Sequence, residues 1–569
     1  MDKGETEGLG GIMPTITFEK EDLERLVGRS LRLDDLEEYL LAAKIEVEDV
    51  RVEEGRTILE VEVGDTNRPD LWSVEGIARF LRGLLGKDVG VWYKVEKPVS
   101  KVFVEKTVLP VRPYIACAIV RGVELGREGF EQLIQLQDKL MLTYGRRRRK
   151  VAIGTSNADL IRFPVHYRGV DPHSATFVPL YENIEMDLAE ILEKTEKGRE
   201  YRFILEGHDV YPILMDDRGR VISFPPIINS EDIGHIDEKT RNIFIDVTGT
   251  DWKAVNIALN VVTTALAERG GSIQALEIVR PDGTAITPDL TPRSITVDAR
   301  RLVQLAGISL GTKDVAKTLR KVGYEPKRIR GDKIELLYPA YRGDVMHERD
   351  VLEDLLVALD YNKIEPEIPI FFTKGGLQRI TWLEDALREL FIGFGAQEVL
   401  NFILTSPEVL SKSKQPGSYV ELENPVTLTY SVVRNAIFPV LMDFLAANTS
   451  APYPQKVFEI GEVVVADETS PTGVRTEVHA GYATAHSEAT YTDVRQTVET
   501  ILHQLGVDFI IRGNEMPFYI PGRSAEFLVQ SKPVAHAGEV HPAVLEAFGI
   551  EMPVAYAEIN VSMLLEVLK

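Results

Sequence analysis

Residues 338–368, YPAYRGDVMHERDVLEDLLVALDYNKIEPEI, carry four acidic side chains at a spacing that draws them together: Asp344, Asp350, Glu353 and Asp354. Across 346–361 the apolar residues Val351, Leu352, Leu355, Leu356, Ala358 and Leu359 recur with a helical period, so the spacing predicts an amphipathic helix. On that helix Asp350, Glu353 and Asp354 stand at i, i+3 and i+4, on one face, with neighbouring Cβ atoms about 5–6 Å apart. Asp344 lies before it, on an extended run just past Gly343, from which its carboxylate can fold back over the first turn. An all-oxygen cluster of this kind suits a hard cation such as Mg²⁺, which takes one or two carboxylates and keeps several waters. Acidic residues in a first turn also complement the helix dipole, each worth about 0.3–1 kcal/mol, and spacing alone fits both readings.

At 569 residues the chain exceeds what one core supports and is expected to split into about three to five domains. With 44% hydrophobic and 27% charged residues it has the composition of a globular protein, not a disordered one. The single cysteine, Cys117, excludes an internal disulfide and favours a reducing, intracellular setting; within the run IACAIV it reads as a buried small hydrophobe. The opening MDKGETEGLGGI has no apolar segment, and no later apolar run approaches the roughly 18 residues of a membrane span, so a soluble, cytoplasmic protein is expected. Ordinary patterning resumes at Met13, and the first twelve residues read as a disordered extension or a misplaced start. A net charge of −23 argues against nonspecific nucleic-acid binding through a basic surface. The run Arg146, Arg147, Arg148, Arg149 and Lys150 is a local exception that reads either as a basic contact or as a solvated loop.

Taken in order, residues 13–95 predict an α/β module in which a turn at Asn67-Arg68-Pro69-Asp70 leads into a helix capped by Asp70. Residues 96–280 are rich in short β runs and predict a mostly antiparallel α+β domain with a hairpin turn at Asp217-Arg218-Gly219. There Ser223, Asn229, Asp246 and Thr248 stand at strand ends, where polar residues cap turns as readily as they form a site. Residues 290–368 predict a winged-helix-like unit: a helix closed by Gly307, a second capped by Thr312 and ended by Gly323, and a β-ribbon turning at Gly331-Asp332. After the proline-bearing PEIPIFF, residues 370–569 predict a last α/β domain. Its elements include a strand EVLNFILTS, a helix YSVVRNAIFPVLMDFLAANTS and the strand pair KVFEIGEVVVAD and VHAGYATA. No Walker A, GxGxxG, zinc-spaced Cys/His set or GxSxG is present. The fold class expected is α+β multidomain.

Several separate motifs carry a resemblance: TNRPDLWSVEGIARFLRG, VISFPPIIN with IDVTGTD, PAYRGDVMHERDVLEDLLVALDYNKIEP, and ENPVTLTYSVVRNAIFPVLMDFLAANTS with KVFEIGEV. From about residue 13 to 569 the chain resembles the β subunits of phenylalanine–tRNA ligases of the archaeal and eukaryotic type. The resemblance implies that Asp344, Asp350, Glu353 and Asp354 hold Mg²⁺ at a contact with an α subunit. It implies that 96–280 is an editing domain that hydrolyses tyrosine wrongly attached to tRNA(Phe), with Leu214, Ser223, Asp246 and Thr248 lining its pocket and Asn229 nearby. An apolar synthetic pocket rejects an added hydroxyl by only about 10², so a second site must recognise the hydroxyl and destroy the product.

The resemblance also implies that 370–569 is a class II synthetase-like antiparallel core without its chemistry. Glu459 and Glu462 stand where an arginine–glutamate pair is expected, and the closing GEVHPAVLEAFGI lacks the usual arginine. Arg434 and Asn435 then read as interface residues, while ATP and phenylalanine bind the α subunit of an (αβ)₂ heterotetramer that charges tRNA(Phe). Two other classes compete. One is a nonenzymatic winged-helix nucleic-acid adaptor contacting through the basic run. The other is a Mg²⁺-dependent phosphotransferase or nuclease on the acidic helix, with Arg342 and Arg349 as its nearest phosphate ligands.

Overall fold

A computed structural model describes residues 14–87, 90 and 92–568; the opening extension expected over the first twelve residues lies outside them. The chain divides into two compact units, one running to Glu367 and the other from Ile368.

In the first unit, the strands Thr15–Glu19, Arg56–Val63 and Ile45–Glu53 make an antiparallel three-stranded sheet with the middle of the three in the centre. The helix Val74–Leu84 follows, and here the sequence reading needs correction: Ser73 caps it, its Oγ accepting from the Gly76 amide at 3.2 Å. Asp70 instead sits in the short turn Pro69–Leu71, buried and gripped by the Arg68 Nε and Nη2 at 2.9 and 2.8 Å. Burial alone would raise its carboxyl, but the Arg68 guanidinium holds it down at about 2. A buried arginine has to be compensated, and that need overrides the capping preference of aspartate.

An 11-stranded sheet, mostly antiparallel, forms the middle of this unit. Its strand Asn242–Gly249 lies between Tyr114–Arg121 and Val151–Asn157, with Asp246 opposite Cys117 on one side and Gly154 on the other. Cys117 is buried as its apolar surroundings predict. The turn after Tyr211–Met215 reverses at 216–220 into Val221–Phe224, where Leu214 pairs with Ser223.

The strands Arg293–Asp298, Lys333–Tyr338 and Glu325–Arg330 form a further antiparallel sheet, served by the helices Ala299–Ala306 and Thr312–Arg320. Gly307 closes the first helix in the left-handed conformation (φ +67), as expected, whereas the second is capped by Gly311 and not Thr312. The acidic helix runs Glu348–Leu359 from an N-cap at His347. One continuous core joins it to the N-terminal sheet and to the helices Gly126–Leu142 and Trp252–Glu268 through buried Leu302, Leu319, Val351, Leu355, Val262 and Ile77.

The second unit is built on a seven-stranded sheet in which Gln455–Ala466 and Val474–Ala485 pair antiparallel over their whole length. The helices Arg379–Gly393 and Tyr491–Gln504 cover one face and Phe438–Ala447 the other. Two predicted elements are shorter than expected. EVLNFILTS contributes only Glu398, the end of the strand Gln397–Glu398, and Leu404–Thr405 to strands, and the long helix begins at Phe438, where Pro439 fits a first turn that needs no amide donor. Arg434 precedes it, wholly buried; it pairs with Glu459 and donates from Nε to the Glu462 carbonyl at 2.9 Å. Asn435 is buried as well, so neither residue lies on a surface, contrary to their reading as interface positions. No described helix is long and apolar enough to cross a membrane.

Candidate functional site

The acidic helix keeps its expected spacing, but its carboxylates go to different partners. Asp344 and Asp354 converge on Arg342, whose Nη2 donates to both at 2.7 Å; the Tyr324 hydroxyl adds a 2.6 Å bond to Asp354. All three charged groups are almost wholly buried. The neighbouring carboxylates hold the Arg342 guanidinium firmly charged against the cost of burial. Asp350 accepts the Met346 and His347 amides, each at 2.7 Å, so it caps its own helix. Glu353, nearly half exposed, pairs with Lys44 and accepts the Tyr361 hydroxyl at 3.0 Å. Burial would raise the Glu353 carboxyl, yet the Lys44 ammonium and the Tyr361 hydroxyl bring it below its usual range. Among the described residues no group of three or more His, Cys, Asp or Glu is arranged to hold a metal. Helical spacing brings Cβ atoms together; which way the carboxylates turn is set by Arg342 and Lys44.

The strand-end residues of the large sheet do meet. Ser223, Asn229, Asp246 and Thr248 line one cleft of about 420 Å³, with Gly154, Ile227 and Phe224 in its walls. Leu214, the fifth expected residue, is wholly buried in the core and backs the cleft through its pairing with Ser223. Three polar atoms of lining residues, Ser223 Oγ, Asp246 Oδ1 and Arg148 Nε, are buried without a hydrogen-bond partner, and the first two are acceptors. Each such orphan costs about 1–3 kcal/mol until something binds it. Gly154 leaves the carboxylate room, because a Cβ there would lie 2.6 Å from Asp246 Oδ1. Burial pushes the Asp246 carboxyl up to about 7, with the charge of Arg112 acting in the opposite direction.

Arg112, which sequence reading missed, lies behind this floor. It is wholly buried, donates from Nε to Thr248 Oγ1 at 2.8 Å and from Nη2 to the Thr248 carbonyl at 2.8 Å, and reaches the Arg149 carbonyl at 3.2 Å. Burial draws it down to about 10, still a cation at neutral pH. Because the Thr248 oxygen already accepts from Arg112, its hydroxyl proton is left to donate. Asn229 is anchored by its amide to the Thr155 carbonyl at 2.9 Å.

The basic run is part of the same cleft. Arg146, Arg147 and Arg148 all adopt left-handed backbone angles (φ +51, +51 and +63). That conformation costs roughly 1–2 kcal/mol for each residue bearing a Cβ. Arg148 lines the cleft, and its Nη1 donates to the carbonyls of Pro226 and Ile227 at 3.0 and 2.8 Å while its guanidinium lies 4.1 Å from the Tyr201 ring centre.

Two family models match the chain: "tRNA synthetase B5 domain" over residues 295–361 and "Phenylalanyl tRNA synthetase beta chain CLM domain" over residues 364–561. The phenylalanine–tRNA ligase β subunit of Thermococcus sibiricus is 43% identical over 550 residues, covering 96% of this chain and 98% of that one. The corresponding subunit of Archaeoglobus fulgidus is 39% identical over 558 residues, covering 97% and 98%. Among solved structures, an N-terminal fragment of the phenylalanyl-tRNA synthetase β subunit of Pyrococcus horikoshii is 44% identical. It matches with a TM-score of 0.59 over 61% of this chain and 99% of the fragment.

Proposed function

The chain belongs to the phenylalanine–tRNA ligase β-subunit family, and from that premise we propose that its cleft hydrolyses tyrosine esterified to tRNA(Phe). As a β subunit it works beside an α subunit that carries the aminoacylation site, and together they join phenylalanine to tRNA. The observation that carries the editing reading is the pair of orphaned atoms, Ser223 Oγ and Asp246 Oδ1, in a cleft whose walls mix apolar Ile153, Phe224 and Ile227 with charged Asp138, Glu182 and Lys197. A tyrosine hydroxyl can satisfy them and a phenylalanine ring cannot, so the correct product leaves both unpaired and is spared. The Thr248 hydroxyl, with its proton directed away from Arg112, suits the ester carbonyl or the attacking water, and Asn229 braces the adjoining strand. The test is release of amino acid from tyrosyl-tRNA and phenylalanyl-tRNA by the α–β complex. Tyrosyl-tRNA should be cleared at least tenfold faster, and equal rates would sink the reading.

The 370–569 segment reads as a synthetase-like core emptied of chemistry: where an ATP-binding arginine is expected, Glu459 is wholly buried and held by Arg434 and by the Asn401 amide at 2.7 Å. Its unit leaves Leu400, Phe402, Val426 and Leu428 more than two-thirds exposed, an apolar surface that suits the α subunit of an (αβ)₂ assembly acting in the cytoplasm.

For Mg²⁺ the donor chemistry of Asp344, Asp350, Glu353 and Asp354 fits, but within this chain Arg342 and Lys44 already neutralise three of the four. Asp350 and Glu353 are the pair a hydrated cation can reach, and a partner's oxygens would complete its shell. Mg²⁺ would there neutralise acidic surface at the subunit contact. Titration of the α–β complex with Mn²⁺ should show binding weakened at least tenfold by Asp350→Asn with Glu353→Gln; unchanged binding rejects the site. The adaptor reading loses its contact, since the basic run lies at the cleft and not on the winged-helix-like segment.

A further inference from the structure

We propose that the mouth of the cleft docks the single-stranded 3′ end of an RNA, with Arg146, Arg147 and Arg149 holding its phosphodiesters and Tyr181 stacking on a base. This rests on the reading of the cleft as a site for aminoacyl-tRNA esters. In a protein of net charge −23, the turn gathers four consecutive arginines, and among the described residues none of the four lies within ion-pairing distance of a carboxylate. Arg148 explains the backbone: pinned to the Pro226 and Ile227 carbonyls, it holds the turn against the cleft wall. The consequence is that Arg146, Arg147 and Arg149 are displayed in solvent beside the opening. The Arg147 and Arg149 guanidinia lie 5.6 and 4.7 Å from the Phe203 ring centre, which orients them without neutralising them.

Tyr181 is the independent observation. It also lines the cleft, is 77% exposed, and is held in the left-handed region (φ +65) with its amide donating to Glu231 Oε2 at 2.8 Å. Next to it the Leu180 amide donates to the Asn229 carbonyl at 2.9 Å, so a large aromatic is projected into water from an anchored loop. Exposed aromatics interleaved with unpaired cations are what sequence-tolerant single-strand binding requires: ring faces for bases and guanidinia for phosphates. An amino acid seated against Ser223 and Asp246 is attached through its ester to a terminal nucleotide, and that nucleotide and those before it must cross this rim.

In the α–β complex, Arg146→Gln, Arg147→Gln and Arg149→Gln together should raise KM for tyrosyl-tRNA at least tenfold. They should also lower the salt slope of tRNA binding by about two, as expected for three lost phosphate contacts on a single strand. Hydrolysis of 3′-O-tyrosyl-adenosine, which has no phosphodiester, should be unchanged in that variant, whereas Tyr181→Ala should raise KM for both esters at least fivefold. Wild-type KM and salt slope in the triple variant would overturn the docking proposal and leave the cleft reading standing. If wild-type protein cleaves neither ester, the cleft reading fails instead. The salt slope for uncharged tRNA then decides the docking proposal alone: a slope lowered in the triple variant supports it, and an unchanged one overturns it.

Discussion

Asp246→Asn should abolish most tyrosyl-tRNA hydrolysis and, at neutral pH and above, make the protein more stable. The loss of activity follows from replacing the one acidic group that lines the floor of the cleft with an orphaned oxygen; a hydrogen bond involving a charged group is worth about 1.5–3 kcal/mol, or roughly 10- to 150-fold in rate. The gain in stability follows from the sign of its perturbation. Burial raises the folded-state carboxyl to about 7, far above its ordinary value. Between that ordinary value and about 7 the folded protein keeps a proton that the unfolded chain has released, so stability falls as pH rises across this window and stops falling above it. The penalty at pH above 7 is on the order of 4 kcal/mol, and the amide removes it less the cost of burying its own unpaired polar atoms. Thermal melts of wild type and variant at pH 4.5 and 7.5 measure it: the difference between the two proteins should grow with pH. A difference independent of pH would show that Asp246 is not the buried acid described. Wild-type hydrolysis, if it uses the ionised carboxylate, should rise with pH through about 7.

Arg342→Met should be among the most destabilising single substitutions in the first unit. It strands Asp344 and leaves Asp354 with Arg68 Nη1, at 3.6 Å, as its nearest cation; the two carboxylates are 5% and 7% exposed at their side chains and lose the cation that both contact at 2.7 Å. Breaking a buried ion pair from one side costs about 3–5 kcal/mol, because the remaining charge is uncompensated. Adding Asp344→Asn and Asp354→Asn to Arg342→Met should recover most of the loss, as removing all partners together often proves neutral. Urea unfolding midpoints test both statements, and an Arg342→Met variant within about 1 kcal/mol of wild type would contradict the buried network. The same variant bears on the metal. With the guanidinium gone, Asp344 and Asp354 are available to Mg²⁺, so millimolar Mg²⁺ should raise the midpoint of Arg342→Met more than that of the wild type.

Much of the chain was legible without coordinates, and the legible parts are local. Apolar periodicity over 346–361 specifies a helix because a 3.6-residue repeat has only one way to bury a stripe, and Glu348–Leu359 is helical. Gly307 ends its helix because only glycine enters the left-handed region freely, and the polar reversal at 216–220 joins two apolar strands because nothing else in the segment tolerates a tight turn. The meeting of Ser223, Asn229, Asp246 and Thr248 was not in their spacing: as strand-end polar residues they fitted caps and a site equally, and a resemblance of motifs chose the site. Val151–Asn157, paired with Asn242–Gly249 and bonded to Asn229 through the Thr155 carbonyl, brings the two segments to one cleft.

What tertiary structure alone decided is where charge goes. Asp70 looked like a helix cap and became the counterion of Arg68; Glu353 looked like a metal ligand and found Lys44, 309 residues away in sequence. Sequence by itself determined periodicities, turns and the presence of four carboxylates on a helix and its approach. It could not determine whether those carboxylates face a metal, an arginine or water, because electrostatic partners act through space, and the nearest cation to a buried acid is set by packing between elements far apart in the chain.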